Sequence, residues 1–496
     1  MEKGYILALD QSTSGSKAMV VDKNGNILSK SSMEHKQYYP NPGWVEHDPM
    51  EIYENVKKVL KEAMLISKVK ADDMAALAIT NQRETILVWD KNTGLPIYNA
   101  IVWQCRRTSE MCSQLKKQGV EEKVRQKTGL LLDPYFSATK VKWILDHVEG
   151  ARAKAEKGQL LLGTIDSWLV WKLTHGKAHV TDYTNASRTL LFNIRTLQWD
   201  SELLEIFGIP RCMLPEIKSS NDMVGYTDTE ELPDIELPIS GIIGDSQGAL
   251  FGQNCFNPGM VKATYGTGSS IMMHIGEQIK ETGSGLVTSV AWGISGRVEY
   301  VLEGIVHCTG DALKWVKDNL MLFNSFEEAR AMVNSLDSNE GVYMVPAFVG
   351  LGIPHWDSDA RAAVVGMSRG TRKEHLVRAA IESTAYQIKD AVDKMELESG
   401  IKTKELRVDG GPTKDEFLMQ FQADMLNHKV VSTEIAELSS MGSVYLAGLA
   451  VGLWKSKEEI LQLRSEGQSY TPVMDKTTRD RYYEGWKASV SRVLTI

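Results

Sequence analysis

Short apolar runs and clusters of small polar residues alternate from the start of the chain: "YILALD", "QSTSG", "KAMVVD", "KNGN", "ILSKSS". Runs of this length closed by Gly, Asn and Ser predict three strands in an antiparallel meander, with a hairpin turn at Asn24-Gly25. The period lengthens in "HDPMEIYENVKKVLKEAM", where apolar positions recur at helical spacing. Asp48 is its expected N-cap, Pro49 the first helical residue and Glu51 the partner in a capping box. "MAALAIT" at 74–80 is apolar throughout, as a strand buried on both faces must be, and it delivers "NQRET" at its end. "TILVWDKNTGLPIYNAIVW" predicts a second hairpin turning at Asn92-Thr93-Gly94. Helices are expected near 136–148 and 165–173, and the strand "ISGIIGD" ends at Asp245.

From residue 259 the pattern restarts. "GMVKATYGTGSSIMMHIG" is again strand, small-residue turn, strand, and "TSVAWGISGRVEYVLEG" is a further hairpin. A long helix, "KEHLVRAAIESTAYQIKDAVDKMELES", closes at Gly400, and the strand "ELRVDGG" opens into "KDEFLMQFQADML". This repetition predicts two α/β domains, 1–250 and 251–496, each opening with a phosphate-sized turn. A tight turn of backbone N–H groups makes an anion-binding concavity. Gln11 to Lys17 and Thr267-Gly268-Ser269-Ser270 are the two candidates, and facing one cleft they would clamp a nucleotide's phosphates from both sides. The first has neither the Gly-Lys-Ser/Thr of a P-loop nor the spaced glycines of a dinucleotide fold.

Bulk properties narrow the class. A chain of 496 residues is too long for one core, and 43% apolar with 24% charged residues describes an ordinary globular protein. A formal charge of −8 argues against non-specific nucleic-acid binding, which needs clustered basic residues. The five cysteines are scattered without a CxxC pair, which suits neither a zinc site nor a disulfide framework and fits a reducing cytoplasm. The chain enters a strand almost at once, leaving no room for a signal peptide, and no apolar run reaches membrane-spanning length. A cytoplasmic location, without nucleic acid or membrane insertion, is expected.

Phosphoryl transfer needs a magnesium ion on the phosphates, donors around the moving group and a carboxylate aimed at the attacking hydroxyl. Magnesium prefers one or two carboxylates. Asp10 and Asp245 each end an apolar strand and precede a Gln/Ser-rich turn; the alternative is that each is a cap. Arg83 and Glu84 follow a buried strand and together could bond a vicinal diol, or form an ordinary surface ion pair. Trp103 and Tyr135 are either the wall of a sugar-like substrate or core residues. Composition and spacing end at a two-domain α/β protein with phosphate turns.

Several segments go further. "GWVEHDP", "NQRET", "YNAIVWQCRRT", "DPYFSATKVKW", "DYTNASRTLLFN", "GMVKATYGTGS", "KELRVDGGPTKDEFLMQFQADML" and "YLAGLAVG" resemble the FGGY carbohydrate kinases, and most closely their glycerol kinase branch. The resemblance runs from about residue 5 to 455. It implies two ribonuclease-H-like domains of the actin/hexokinase type around a central ATP and substrate cleft. It implies ATP and Mg2+ as cofactors, a small polyol as substrate, and a homo-oligomer, dimer or tetramer. Arg83, Glu84, Trp103, Tyr135 and Asp245 fall where the family binds its polyol. Asp245 matches the catalytic base, and Asp10 with Asp245 the magnesium-associated carboxylates. Thr13, Ser14 and Lys17 fall in the first phosphate turn; Thr267, Gly310 and Gly411 fall on the C-terminal nucleotide side.

The chain also departs from that branch. Lys17 stands where Arg is usual and loses its bidentate fork. Ser246 and Ser270, counted with the substrate-binding residues, stand where the branch usually has Gln and Phe. These swaps remove more volume than an extra CH–OH unit occupies and trade an apolar wall for hydroxyls, so they can redirect specificity. The resemblance therefore implies a glycerol kinase, with a longer polyol or a ketose as alternative substrate, and a non-catalytic sensor as the alternative class. Glu230, Glu231, Asp234 and Glu236 would repel a sugar bisphosphate, and no histidine lies between His179 and His274. Neither sugar-bisphosphate nor phosphohistidine control is expected.

Overall fold

The N-terminal apolar runs form the expected meander. In a computed structural model describing residues 3–283, 285–433, 435, 437–463 and 467–495, strands Tyr5–Gln11, Gly15–Asp22 and Ile27–Glu34 pair antiparallel in sequence. Gly25 takes φ 82°, the left-handed turn conformation that its missing Cβ permits, and donates its N–H to the Asp22 carbonyl. Met74–Asn81 is buried at every residue and lies parallel to Tyr5–Gln11; Pro238–Gly244 lies parallel to Met74–Asn81.

Helix Pro49–Ser67 packs on the meander, and helix Leu438–Ala450 packs on the three parallel strands. Asp48 caps the first of these through the Met50 N–H, as expected. Glu51 does not complete a capping box: its carboxylate accepts from the Lys36 N–H at 3.1 Å, because the returning strand ends beside it. Helix Leu438–Ala450 seats closely because glycines face it. A Cβ at Gly248 would lie 2.7 Å from the Ser439 carbonyl, and one at Gly442 would lie 2.0 Å from the Gly248 carbonyl.

The chain divides into two compact units, Met1–Asn254 with Thr288–Tyr300 and Glu437–Ser465, and Cys255–Val287 with Val301–Ala436 and Glu466–Ile496. The second repeats the first. Beyond an outermost strand, Val287–Ile294, its seven-stranded sheet runs Arg297–Val306, Ser269–Gly276, Met260–Tyr265, Glu405–Gly410, Lys429–Ser432, Ser469–Tyr470. The first unit runs Ile27–Glu34, Gly15–Asp22, Tyr5–Gln11, Met74–Asn81, Pro238–Gly244, Gly225–Tyr226. In each, the central strand has an antiparallel neighbour on one side and a parallel pair on the other, and a last short strand is antiparallel. Among the described residues no helix is long and apolar enough to cross a membrane.

Candidate active site

Strand Met74–Asn81 belongs to the large sheet, and the next, Ile86–Asp90, belongs to a separate five-stranded sheet. "QRET" is the link between them, so its polar side chains are enclosed. Arg83 is 5% exposed and Glu84 1%. They are not a surface pair, and Glu84 has a different partner: its Oε1 accepts from Arg188 Nε at 2.5 Å. Arg188 Nη1 also donates to Ser289 Oγ at 2.8 Å, and the guanidinium stands 5.9 Å from the Tyr135 ring centroid. Glu84 takes φ 60°, a left-handed conformation that costs a non-glycine residue energy. Ser137 Oγ holds its carbonyl at 2.8 Å.

Asp245 opens helix Asp245–Gly252 directly at the end of strand Pro238–Gly244. Its Oδ1 lies 3.2 Å from Arg83 Nε and accepts from the Ser246 N–H at 2.6 Å, while its side chain stays 39% exposed. Gly244 makes that approach possible, since a Cβ there would lie 2.8 Å from Arg83 Cγ. Gln247 Oε1 accepts a further bond from Arg83 Nη1 at 3.2 Å. A carboxylate oriented by a buried guanidinium yet open to solvent can accept a hydrogen bond from an incoming hydroxyl.

Asp10, in the first strand, caps no helix. Ser440 Oγ, on helix Leu438–Ala450, donates to its Oδ2 at 3.3 Å. Burial first, then the neighbouring Asp245 and Glu437, push the Asp10 carboxyl up to about 7, against Lys17 and the Ser440 bond. A buried carboxyl whose proton affinity a second carboxylate raises is relieved by a divalent cation on hard oxygen donors, so Asp10 with Asp245 beside it fits magnesium. Lys17, paired with Asp10 across the meander, gives its Nζ to Glu437 Oε2 at 2.5 Å; Lys30 adds a second contact to Glu437 at 3.2 Å. Burial opposes that charge, but the two lysines hold the Glu437 carboxyl below its ordinary value.

The first turn is braced from behind. The Ser12 N–H bonds the Gly15 carbonyl at 2.8 Å, and Gln82 Nε2 bonds Gln11 Oε1 and the Ser12 carbonyl. Thr13 Oγ1 accepts from Trp103 Nε1 at 2.9 Å, and Trp103 meets Tyr135 edge-on with ring centroids 5.4 Å apart. Ser14 stays exposed at the tip. Thr13, Arg83, Glu84, Trp103, Tyr135, Asp10, Lys17, Asp245 and Ser246 thus all lie in the first unit, joined by these contacts.

Thr267, Ser270, Gly310 and Gly411 belong to the second unit. There the turn Gly266–Gly268 is stitched to helix Gly310–Asp318: the Gly310 N–H bonds the Gly266 carbonyl at 3.0 Å and the Thr309 N–H bonds the Thr267 carbonyl at 2.8 Å. Gly410, at φ 101°, passes so close to Tyr265 that a Cβ would lie 2.0 Å from its carbonyl. The three glycine segments therefore converge.

Sequence reasoning singled out neither Arg188 nor Lys140, although both lie in quoted segments. Lys140 is fully buried, and its Nζ donates to the Tyr135 carbonyl at 2.7 Å and the Trp103 carbonyl at 3.4 Å. Arg188 is a lone basic residue in a small-residue stretch and Lys140 stands two positions from Lys142, signals that are weak without knowledge of which helix face is buried.

The model for the FGGY family of carbohydrate kinases, N-terminal domain, matches residues 5–252, and that for the C-terminal domain matches 261–451. Glycerol kinase 2 of Thermotoga maritima is 53% identical over 490 residues, covering 99% of each chain. The glycerol kinase of Geobacillus sp. strain WCH70 is 54% identical over 490 residues, again covering 99% of each. Among solved structures, Plasmodium falciparum glycerol kinase with ADP superposes with a TM-score of 0.95 at 37% identity, covering 100% of this chain and 99% of that one. The chain belongs to the FGGY family of carbohydrate kinases and is a phosphotransferase enzyme.

Proposed function

We propose that the chain transfers the γ-phosphoryl group of ATP to a terminal hydroxyl of glycerol, giving glycerol 3-phosphate and ADP. The observation that carries this reading is the buried Arg83 guanidinium lying against the open carboxylate of Asp245, with ionic Glu84 next in the chain. Arg83 donates to the polyol and Glu84 accepts from it, so a diol is read by both ends of its hydroxyl dipoles. Trp103 and Tyr135 pack against the carbon chain. Relatives identical at more than half of their positions carry the name glycerol kinase.

Asp245 orients the attacking hydroxyl and takes its proton. Phosphoryl transfer passes through a loose transition state, so the proton can leave late and the base need not be strong. Thr13, Ser14 and Lys17 receive phosphate oxygens in the first unit, and Lys17 exchanges Glu437 for phosphate as it does so. Thr267, Gly310 and Gly411 serve the nucleotide in the second. Asp10 and Asp245 would hold Mg2+, which when bound neutralises phosphate charge. Cytoplasmic residence and homo-oligomeric assembly belong to the same proposal, checked by cell fractionation and light scattering.

A coupled ADP-release assay with ATP, Mg2+ and glycerol tests it. Steady turnover, lost in Asp245→Asn, is expected. Stoichiometric binding without turnover would favour a sensor instead. A second reading rests on Ser246 and on Ser270, whose buried Oγ has no hydrogen-bond partner among the described residues: a longer polyol or a ketose. Erythritol, threitol, xylitol and dihydroxyacetone measured beside glycerol decide, and a highest kcat/KM for glycerol ends that reading.

A further inference from the structure

Helix Ala138–His147 begins with a turn whose polar side chains, Ser137, Thr139 and Lys140, are all buried, Thr139 Oγ1 lying 2.9 Å from Thr108 Oγ1. Ser137 and Lys140 lie three residues apart, hence on one face, and both are fully buried. Lysine is almost never fully buried without a partner, because its ammonium loses hydration. Here the partners are main-chain carbonyls of Tyr135 at 2.7 Å and Trp103 at 3.4 Å, while Ser137 Oγ takes the Glu84 carbonyl at 2.8 Å. One helical turn thus holds two remote segments, at Glu84 and Trp103, and the residues just ahead of it at Tyr135, and each held residue is one that the proposed function assigns to the polyol.

We infer that Lys140 is a positioning residue of the polyol site, fixing Trp103 and Tyr135 through their carbonyls while Ser137 fixes Glu84. The inference rests on the proposed function, since it deepens the account of that same site. The alternative is a structural plug. A plug would be served as well by Met or Leu, which fill the volume without desolvating an amine. It would also not explain why the donors converge on these three residues. Thr85 Oγ1 holds the Trp103 N–H at 3.2 Å and Asp133 Oδ1 the Tyr135 N–H at 2.8 Å, so Lys140 fixes the carbonyl side of the same two peptide segments. A shift on the order of 1 Å in a substrate-holding group can cost about 100-fold in rate.

Steady-state kinetics of Lys140→Met and Ser137→Ala test the inference. Lys140→Met keeps the chain length and removes the donor. Its glycerol KM is expected to rise about tenfold or more, with kcat within about threefold and the ATP KM unchanged, because binding is lost and the chemical groups are intact. Ser137→Ala is expected to raise the glycerol KM about threefold with the same pattern. Unchanged glycerol KM in both variants, or an equal rise in both KM values with a collapse of kcat, overturns the inference. If Lys140→Met does not fold, Ser137→Ala, which deletes one hydroxyl, decides by the same criteria. Wild-type protein that shows no glycerol-dependent ADP release overturns the functional reading and this inference together; active wild-type with unmoved variants overturns this inference alone.

Discussion

The acceptor side in the first unit and the glycine turns in the second solve different problems with different materials. The first is made of buried charge: Arg83, Glu84, Arg188 and Lys140 are all nearly inaccessible, Glu84 and Arg188 held by each other, Arg83 by Asp245 and Gln247, and Lys140 by carbonyls. The second is made of backbone, with Gly268, Gly310 and Gly410 packed where no Cβ fits. A small uncharged polyol offers little binding energy and must be read by oriented polar groups whose burial is costly. A polyphosphate brings its own charge and is received by close backbone approach. Substitution should therefore injure the two regions differently.

The largest effect belongs to Asp245. A positioned base contributes about 100- to 10,000-fold, so Asp245→Asn is expected to lower kcat about 1,000-fold, with the glycerol KM altered less than about tenfold. Pre-steady-state and steady-state assays at saturating glycerol measure it, and retention of more than a tenth of wild-type kcat would refute the assigned role.

Next comes the buried Arg188–Glu84 pair. Removing one partner of a buried ion pair typically costs about 3–5 kcal/mol, because a charge is left uncompensated. Arg188→Met is expected to destabilise by that amount, and Arg188→Met combined with Glu84→Gln to regain part of it. Urea denaturation of both variants is the measurement. A double variant weaker than the single one by the full additive amount would mean that the two side chains are not coupled.

Gly268→Ala tests the other region. Its new Cβ would lie 2.5 Å from the Val306 carbonyl, so the turn must move. The expected result is an ATP KM raised about tenfold with the glycerol KM unchanged, the reverse of the Lys140→Met pattern. A matching rise in the glycerol KM would erase the contrast between the regions.

The same contrast explains what the sequence made legible. The repeated strand–turn–strand pattern, the turn at Gly25 and the cap at Asp48 follow from local rules and appear as expected. The glycine turns were visible because backbone geometry marks them in the residues themselves. Arg83, Glu84 and Asp245 were visible because each follows an apolar strand. The Arg188–Glu84 pair was not, since 104 residues separate the partners and only tertiary folding joins them. Glu51 misled for a similar reason: a capping box is a local rule, and the Lys36 N–H, just past strand Ile27–Glu34, won its carboxylate.

The smallest effect concerns how much the acceptor side costs the fold. Burial lowers the Lys140 amine from its ordinary 10.5 to about 7, against the opposing pull of Glu84, Cys105, Asp133 and Cys112. Between those two values the unfolded chain keeps a proton that folded Lys140 has given up. Stability therefore rises with pH through this window, at up to about 1.4 kcal/mol per pH unit, and below about pH 7 the penalty is present in full. Lys140→Met lacks this slope, while the surrounding groups titrate in both proteins and largely cancel in the difference. From pH 7 to 9 the stability difference is expected to move toward wild type by about 2 kcal/mol, read from urea midpoints at constant m value. A difference that stays flat across that range would show that the Lys140 amine keeps its ordinary proton affinity inside the fold. The acceptor side would then not carry the desolvation cost that sets it apart from the glycine turns.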